Sequence, residues 1–311
     1  MMRLSLSSFV YFNYRLEDAI RRTASLGYDG IDIWGGRPHA YRDDRSPEEL
    51  RRLRALVDEC GLAVPSFIPA QFRYPTSLCS PIDVIRRDSI RYIEAGIETA
   101  RALGSPVVSV CPGHTLHGQG AEDGWTRLVD SLKRLSDYAA RHDVCLALEP
   151  ADCYETDLVQ NTEQANRLLQ EVRSGNLGVV LDVGHSQIVG EDPAAAVRAL
   201  GPTLFHVHID DTHGQRDDHL IPGQGIVDFG SFFAALKEVG YAGFLTAELS
   251  FNYTVAPDEA AQATIDWFKK LSPEGQMLNR YCMCWACPPM PSFSSMPTPK
   301  PWGCPGRRRR L

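Results

Sequence analysis

Four acidic or imidazole side chains stand at the carboxyl ends of successive short apolar runs. They are Glu149 ending VCLALE (144–149), Asp182 ending LGVVLD (177–182), His208 in TLFHVHI (203–209) and Glu248 in GFLTAEL (243–249). Gathering several carboxylates in one cavity is prohibitively costly unless a cation or protons compensate them. Three carboxylates and one imidazole form a ligand set suited to Mn²⁺ or another first-row ion, with positions left open for substrate oxygens. Period two in the HVH stretch puts His206 and His208 on the same side of their strand. Taken singly, each residue reads as an ordinary strand end facing water or as a satisfied core histidine. Four of them at consecutive strand ends favour a common site.

The elements that must carry these residues alternate between short apolar runs and longer amphipathic ones, the pattern of parallel strands covered by helices. Strands are expected at LSLSSF near residue 4, GIDIW at 30–34, LAVPSFI at 62–68 and PVVSVC at 106–111, followed by the four runs above. Helices are expected over roughly 16–26, 47–60, 81–103, 123–142, 160–172, 193–200, 229–239 and 257–270. Ser46 before Pro47, with Glu49 three residues on, gives an N-cap, a proline in the first turn and a capping-box partner. Ser80, Pro81 and Asp83 repeat half of that arrangement. Gly27, Gly61 and Gly240 follow helical runs where a left-handed residue is wanted. Eight such pairs in about 270 residues predict an α/β fold of the closed (β/α)8 TIM-barrel type, whose usual size is about 250 residues and whose chemistry sits at the carboxyl ends of its strands. A doubly wound open sheet is the runner-up. The glycines of GYDGIDIWGGR (27–37) do not fall into a dinucleotide fingerprint, and no P-loop is present.

Composition agrees with a chain that can bury one large core or two small ones. The 311 residues are 43% hydrophobic and 23% charged, with 32 Lys plus Arg against 39 Asp plus Glu and a net charge of −7. No apolar run reaches the ~20 residues of a membrane span. The N-terminal segment reads as a buried strand and not as a leader, and the scattered cysteines fit a reducing cytoplasm. Residues 273–311 stand apart, with eight Pro, four Cys (Cys282, Cys284, Cys287, Cys304) and the run Arg307–Arg310. Arg280, Lys300 and that run against Glu274 give the segment +5 and leave −12 on residues 1–272, which argues against a nucleic-acid partner. The cysteine spacing lacks the usual paired zinc pattern. Two regions are therefore expected: a single barrel domain over 1–272 and a disordered or atypical tail over 273–311.

The quartet, together with LEPADCYE (148–155), LDVGH (181–185), HVHIDD (206–211) and PGQG (222–225), resembles the metal-dependent ketose 3-epimerases of the xylose-isomerase-like barrel superfamily. GYDGIDIWGGRPHAY (27–41) is similar to the branch containing fructoselysine 3-epimerase. The resemblance covers about residues 3–270. It implies that Glu149, Asp182, His208 and Glu248 bind the metal, with Mn²⁺ expected and Co²⁺, Mg²⁺, Fe²⁺, Ni²⁺ or Zn²⁺ as alternatives. Glu149 and Glu248 would also be the two proton-transfer groups. Glu155 would contact the sugar near O1, His185 a substrate oxygen, and Arg216 the carbonyl oxygen, although the segment joining Arg216 to His208 is longer than in the simplest ketose epimerases. Trp34, Arg37 and His39 would line the pocket above the second strand. Small homo-oligomers are also implied.

The activity so implied is inversion at C3 of a ketose or ketose derivative by enediolate proton transfer, with no nicotinamide. Aldose–ketose isomerisation on the same metal site is the alternative; a metal-dependent endonuclease and a noncatalytic sugar-binding protein stand further off. His114 and His117 follow the fourth strand as loop histidines. Asp210, Asp211, Asp217 and Asp218, beside His213 and His219, would either recognise a positively charged substituent or keep the seventh loop solvated.

Overall fold

The computed structural model describes residues 2–41, 44–71 and 76–271. The expectation for the tail at 273–311 lies outside these residues. Eight parallel strands close in sequence order into one barrel: β1 (Arg3–Ser7), β2 (Gly30–Gly35), β3 (Phe67–Pro69), β4 (Val107–Val110), β5 (Cys145–Leu148), β6 (Leu177–Asp182), β7 (Leu204–Ile209) and β8 (Phe244–Ala247). Eight long helices alternate with them: α1 (Leu16–Leu26), α2 (Pro47–Glu59), α3 (Asp83–Leu103), α4 (Ala121–Ala140), α5 (Thr162–Val172), α7 (Pro193–Leu200), α8 (Phe229–Glu238) and α9 (Pro257–Leu271). A short additional helix, α6 (Val183–Ile188), follows β6 directly. Among the described residues no helix is long and apolar enough to cross a membrane.

Local chemistry explains most boundaries. Ser46 and Glu49 form both halves of the capping box at the start of α2, and Gly27, Gly61 and Gly240 all have positive φ. Two expectations shift. The third strand begins at Phe67 and not at Leu62, because Pro65 has no N–H to give the ladder; only an isolated bridge from Ala63 to Gly30 precedes it. Helix α3 begins at Asp83 and not at Pro81, since Ser80 Oγ accepts from the Ile82 amide (3.2 Å) in a local turn instead of capping the helix.

Inside the barrel, alternation stacks three layers. Val107, Ala147 and Val180 pack with Phe205, for which a β6 register shift between Val179 and Val180 and the bare Gly178 make room; a Cβ at Gly178 would lie 2.3 Å from the Phe205 ring. Above them lies a polar layer. Asp32 Oδ1 accepts from Ser5 Oγ and Thr246 Oγ1 (both 2.9 Å), and Asp32 Oδ2 is 2.7 Å from His206 Nε2. The next layer holds Asp182 in register with His208, with Glu149 and Glu248 one residue past the ends of β5 and β8.

The Arg37–Pro38 segment turns His39 inward, behind the barrel wall. Burial lowers its pKa to about 4, against backbone hydrogen bonds that raise it. A histidine depressed below its ordinary value of 6.5 contributes stability that is complete above that pH and is lost as pH falls towards 4. Between pH 7 and 4.5 the native chain should therefore lose about 2–3 kcal/mol more than His39→Gln, as read by urea unfolding. Parallel pH slopes for the two proteins would refute this.

Candidate metal centre and substrate cavity

Adjacent parallel strands in register present the same side, so the pairing of Asp182 with His208 aims both into the barrel. Glu149 and Glu248 reach the same point from either flank: His208 Nδ1 is 2.6 Å from Glu149 Oε1 and 2.9 Å from Glu248 Oε2. One ligand atom from each of the four residues lies within 4.8 Å of all the others. Asp182 has a double duty. It ends β6 and caps α6, accepting from the His185 amide through Oδ1 (2.8 Å), while Oδ2 is buried without a partner. Ser109 Oγ donates to the remaining oxygen of Glu149 (3.1 Å).

The electrostatics are those of an uncompensated anionic cluster. Burial pushes the Glu149 carboxyl up, but the His208 charge beside it more than reverses this and holds it below its usual range. Burial, reinforced by Asp210, drives Asp182 well above its usual value. Burial would lower His208, yet Glu248 and Glu149 raise it well above normal. Carboxylates that crowd one imidazole, and an orphaned carboxylate oxygen aimed at the same point, fit a divalent cation taking the place of the shared proton. The other ring nitrogen, His208 Nε2, has no hydrogen-bond partner and lies 3.9 Å from Asp32 Oδ2, so the polar layer below backs the ligand ring.

The cavity above this centre is lined by Glu149, Glu248, Glu155, His185, Asp217 and His219, with Phe9, Trp34, Ile68, Pro69, Ala70, Gln71 and Cys111 completing the wall. The six residues expected to touch substrate divide into three and three. Trp34, Glu155 and His185 line the cavity, and Trp34 packs against Phe9 with ring centroids 5.0 Å apart. Burial raises the Glu155 carboxyl, with His185 opposing. His185 Nδ1 is 3.3 Å from the Asp152 amide, and Nε2 is 3.9 Å from Asp217 Oδ2. His39, by contrast, is buried outside the lining, bonded to Ser8 Oγ (3.1 Å) and the Tyr11 carbonyl (3.2 Å). Arg37 points to solvent, paired with Asp44 (2.8 Å) and lying over the Tyr41 ring. Arg216 is exposed, and the next residue, Asp217, enters the cavity instead. His114 and His117 stay outside the lining.

Asp217 and His219 are named by the sequence only among the seventh-loop residues that recognise a charged substituent or keep the loop solvated, and Asp32 is not named at all. The first two sit in a loop, where no periodicity reveals direction. Asp32 does carry a signal, a lone acid inside the buried strand GIDIW. The seventh loop is also not solvated as a whole, because Asp210 and Asp211 are fully buried. Asp211 ties the loop together, accepting from the amides of Thr212 (2.9 Å), Gly223 (2.9 Å), Gly225 (2.8 Å) and Val227 (3.1 Å). A Cβ at Gly225 would lie 2.3 Å from Asp211 Oδ1, which explains the glycine. Asp211→Ala strands these amides and should cost about 3–5 kcal/mol in denaturant unfolding. A loss below 1 kcal/mol would show that water replaces the carboxylate.

Comparison with known proteins agrees with this architecture. A family described as "Xylose isomerase-like TIM barrel" matches residues 20–271. Fructoselysine 3-epimerase of Shigella flexneri is 30% identical over 261 residues, 84% of this chain and 95% of that protein. L-ribulose 3-epimerase of Methylomonas sp. (strain DH-1) is 33% identical over 252 residues, 80% of this chain and 83% of that protein. A solved structure of L-ribulose 3-epimerase shares the fold, with a TM-score of 0.74 at 22% identity over 86% of this chain and 93% of that one. With a closed eight-stranded barrel, a strand-end ligand quartet and a family match across nearly all of the barrel, the chain belongs to the xylose-isomerase-like TIM-barrel family.

Proposed function

We propose that this protein is a divalent-metal-dependent sugar epimerase that inverts C3 of a ketose or ketose derivative. The observation that carries this reading is the convergence of two cavity-lining carboxylates, Glu149 and Glu248, from separate strands onto one imidazole. Similarity to fructoselysine 3-epimerase and L-ribulose 3-epimerase supports the substrate class. Glu149, Asp182, His208 and Glu248 would hold the ion, for which Mn²⁺ suits an oxygen-rich set with one imidazole. When bound, it would polarise the C2 carbonyl and compensate the charge that appears there as C3 loses its proton.

The remaining work falls to the chain. One of Glu149 and Glu248 takes the C3 proton as a general base, and the other, as the carboxylic acid, returns a proton to the opposite face. His185 donates towards the substrate oxygens, and Glu155 accepts from a sugar hydroxyl. Trp34 and Phe9 cover the carbon face of the sugar and keep bulk water from the exchanging proton. Arg216 would have to swing in from the surface to reach a carbonyl oxygen. We place this activity in a catalytic domain over 1–272, with 273–311 as an appended tail, in a cytoplasmic protein that assembles into small homo-oligomers.

The test is solvent hydrogen exchange during turnover. In deuterated water the epimer formed should carry deuterium at C3. A metal-loaded, turning-over enzyme that incorporates none there would overturn two-carboxylate transfer. Product analysis separates C3 inversion from carbonyl migration to C1, the outcome that aldose–ketose isomerisation would give.

A further inference from the structure

The two aromatic rings of the cavity wall, Phe9 and Trp34, come from different strand ends and are joined from behind by one histidine. A short 3₁₀ turn after β1 (Ser8–Tyr11) carries Phe9, and β2 carries Trp34. The β1–β2 pairing ends at Ser7 with Asp32, two residues short of Trp34. On that side a side chain replaces the ladder: the Trp34 amide donates to Ser8 Oγ (2.9 Å), and the same hydroxyl lies 3.1 Å from His39 Nδ1. His39 Nε2 reaches the Tyr11 carbonyl at the far end of the turn (3.2 Å). A carbonyl only accepts, so Nε2 carries the ring proton and Nδ1 accepts from Ser8. Burial, which lowers the His39 pKa to about 4, keeps the imidazole in the neutral form that this pattern needs.

We propose that His39 is a positioning residue for substrate binding: it does not meet the sugar, but fixes the Phe9–Trp34 wall against which the ketose is held. Three observations carry this. First, both ring nitrogens are bonded to residues that flank Phe9, Ser8 before it and Tyr11 after it, so the turn cannot shift without breaking them. Second, Ser8 is shared. Its oxygen takes the Trp34 amide while its proton goes to His39, so loss of the imidazole frees the hydroxyl to rotate and loosens its hold on β2. An apolar ring would fill the same space but leave that hydroxyl without its acceptor. Third, the imidazole meets the indole itself, edge to face with centroids 5.9 Å apart at 84°, while the other side of the indole lies over Gly36, where a Cβ would overlap it. His39 itself is buried outside the cavity lining.

The proposal rests on the sugar-epimerase reading for its ligand, so the test reads the wall and sugar binding separately from turnover. Full-length, Mn²⁺-loaded protein is titrated with D-fructose, a plain ketohexose, and the Trp34 contribution to near-ultraviolet circular dichroism is defined by difference from Trp34→Phe. His39→Leu should bind D-fructose about 10-fold more weakly, and raise KM to match with kcat within about 3-fold, the pattern of lost uniform binding at an aromatic contact. Its Trp34 band should shrink while bound Mn²⁺ is unchanged. His39→Gln, whose amide oxygen and nitrogen can replace Nδ1 and Nε2, should restore binding to within about 3-fold of wild type. In a Trp34→Ala background His39→Leu should cost little more, because the wall it positions is gone. If His39→Leu does not fold, Ser8→Ala carries the test, with the same loss of binding expected. Binding within about 2-fold of wild type in the folded variant would overturn the proposal, as would equal losses in His39→Gln and His39→Leu or full additivity with Trp34→Ala. A fall in kcat at unchanged KM would also overturn it, by placing His39 in the chemistry. A wild-type chain that neither binds D-fructose nor turns over any ketose counts against the epimerase reading; positioning is then decided by the Trp34 band, and an unchanged band in His39→Leu rejects it.

Discussion

Glu149→Gln and Glu248→Gln are each expected to lower epimerisation by about 10³-fold or more, the range in which a positioned acid or base acts. An amide keeps an oxygen for the ion but carries no exchangeable acid proton of the right strength, so the chemistry fails before the fold does. The informative result is in the half-reactions. With one carboxylate removed, the other still faces one side of the sugar, and the variant should wash out the C3 proton of one epimer while leaving the other untouched. The two variants should have opposite preferences. If either retains near-normal turnover, or if both exchange both epimers, the assignment of one carboxylate to each face is wrong. Bound metal measured on the same samples separates loss of a proton-transfer group from loss of the ion.

Chelation should abolish turnover, and Mn²⁺ should restore it. Binding also stabilises the fold by mass action: an ion present at 100 times its dissociation constant adds about 2.7 kcal/mol, a shift of roughly 5–10 °C in Tm for a chain of this size. The apparent affinity should rise with pH, because the proton that Glu149 and Glu248 hold on His208 must leave for the ion to enter. Unchanged activity after the protein has been shown to be metal-free would reject the metal dependence outright. Among Co²⁺, Mg²⁺, Fe²⁺, Ni²⁺ and Zn²⁺, those that accept an oxygen-rich set with one imidazole should restore part of the activity.

The barrel was legible because apolar periodicity is a strong signal where helices and strands alternate. The expected helices at 16–26 and 193–200 coincide with α1 (Leu16–Leu26) and α7 (Pro193–Leu200). The quartet was legible for a related reason: a charge that ends an apolar run stands out, and the barrel dictates where it points. Helix α6 escaped notice because VGHSQI is too short to show a period, although it carries His185. Loops gave types without directions. Arg37 and Arg216 share the cavity end of the barrel with Trp34 and Asp217, yet their long side chains reach solvent while the shorter or flatter neighbours turn inward. Asp32 was hidden by success, since its alternation within β2 is what a barrel strand requires, and only the partner His206 on a distant strand reveals its role.

The stacked floor formed by Asp32, His206 and Thr246 over the Phe205 layer closes the chamber from below, so that among the described residues the way in lies at the carboxyl ends of the strands. An entering sugar and its departing epimer must use the same threshold in turn. Because the two differ only in the hand of one carbon, neither gains much preference for the exit. Turnover in such a cul-de-sac is governed by traffic: accumulated product should slow the forward reaction as a competitor for entry, long before chemical equilibrium is reached.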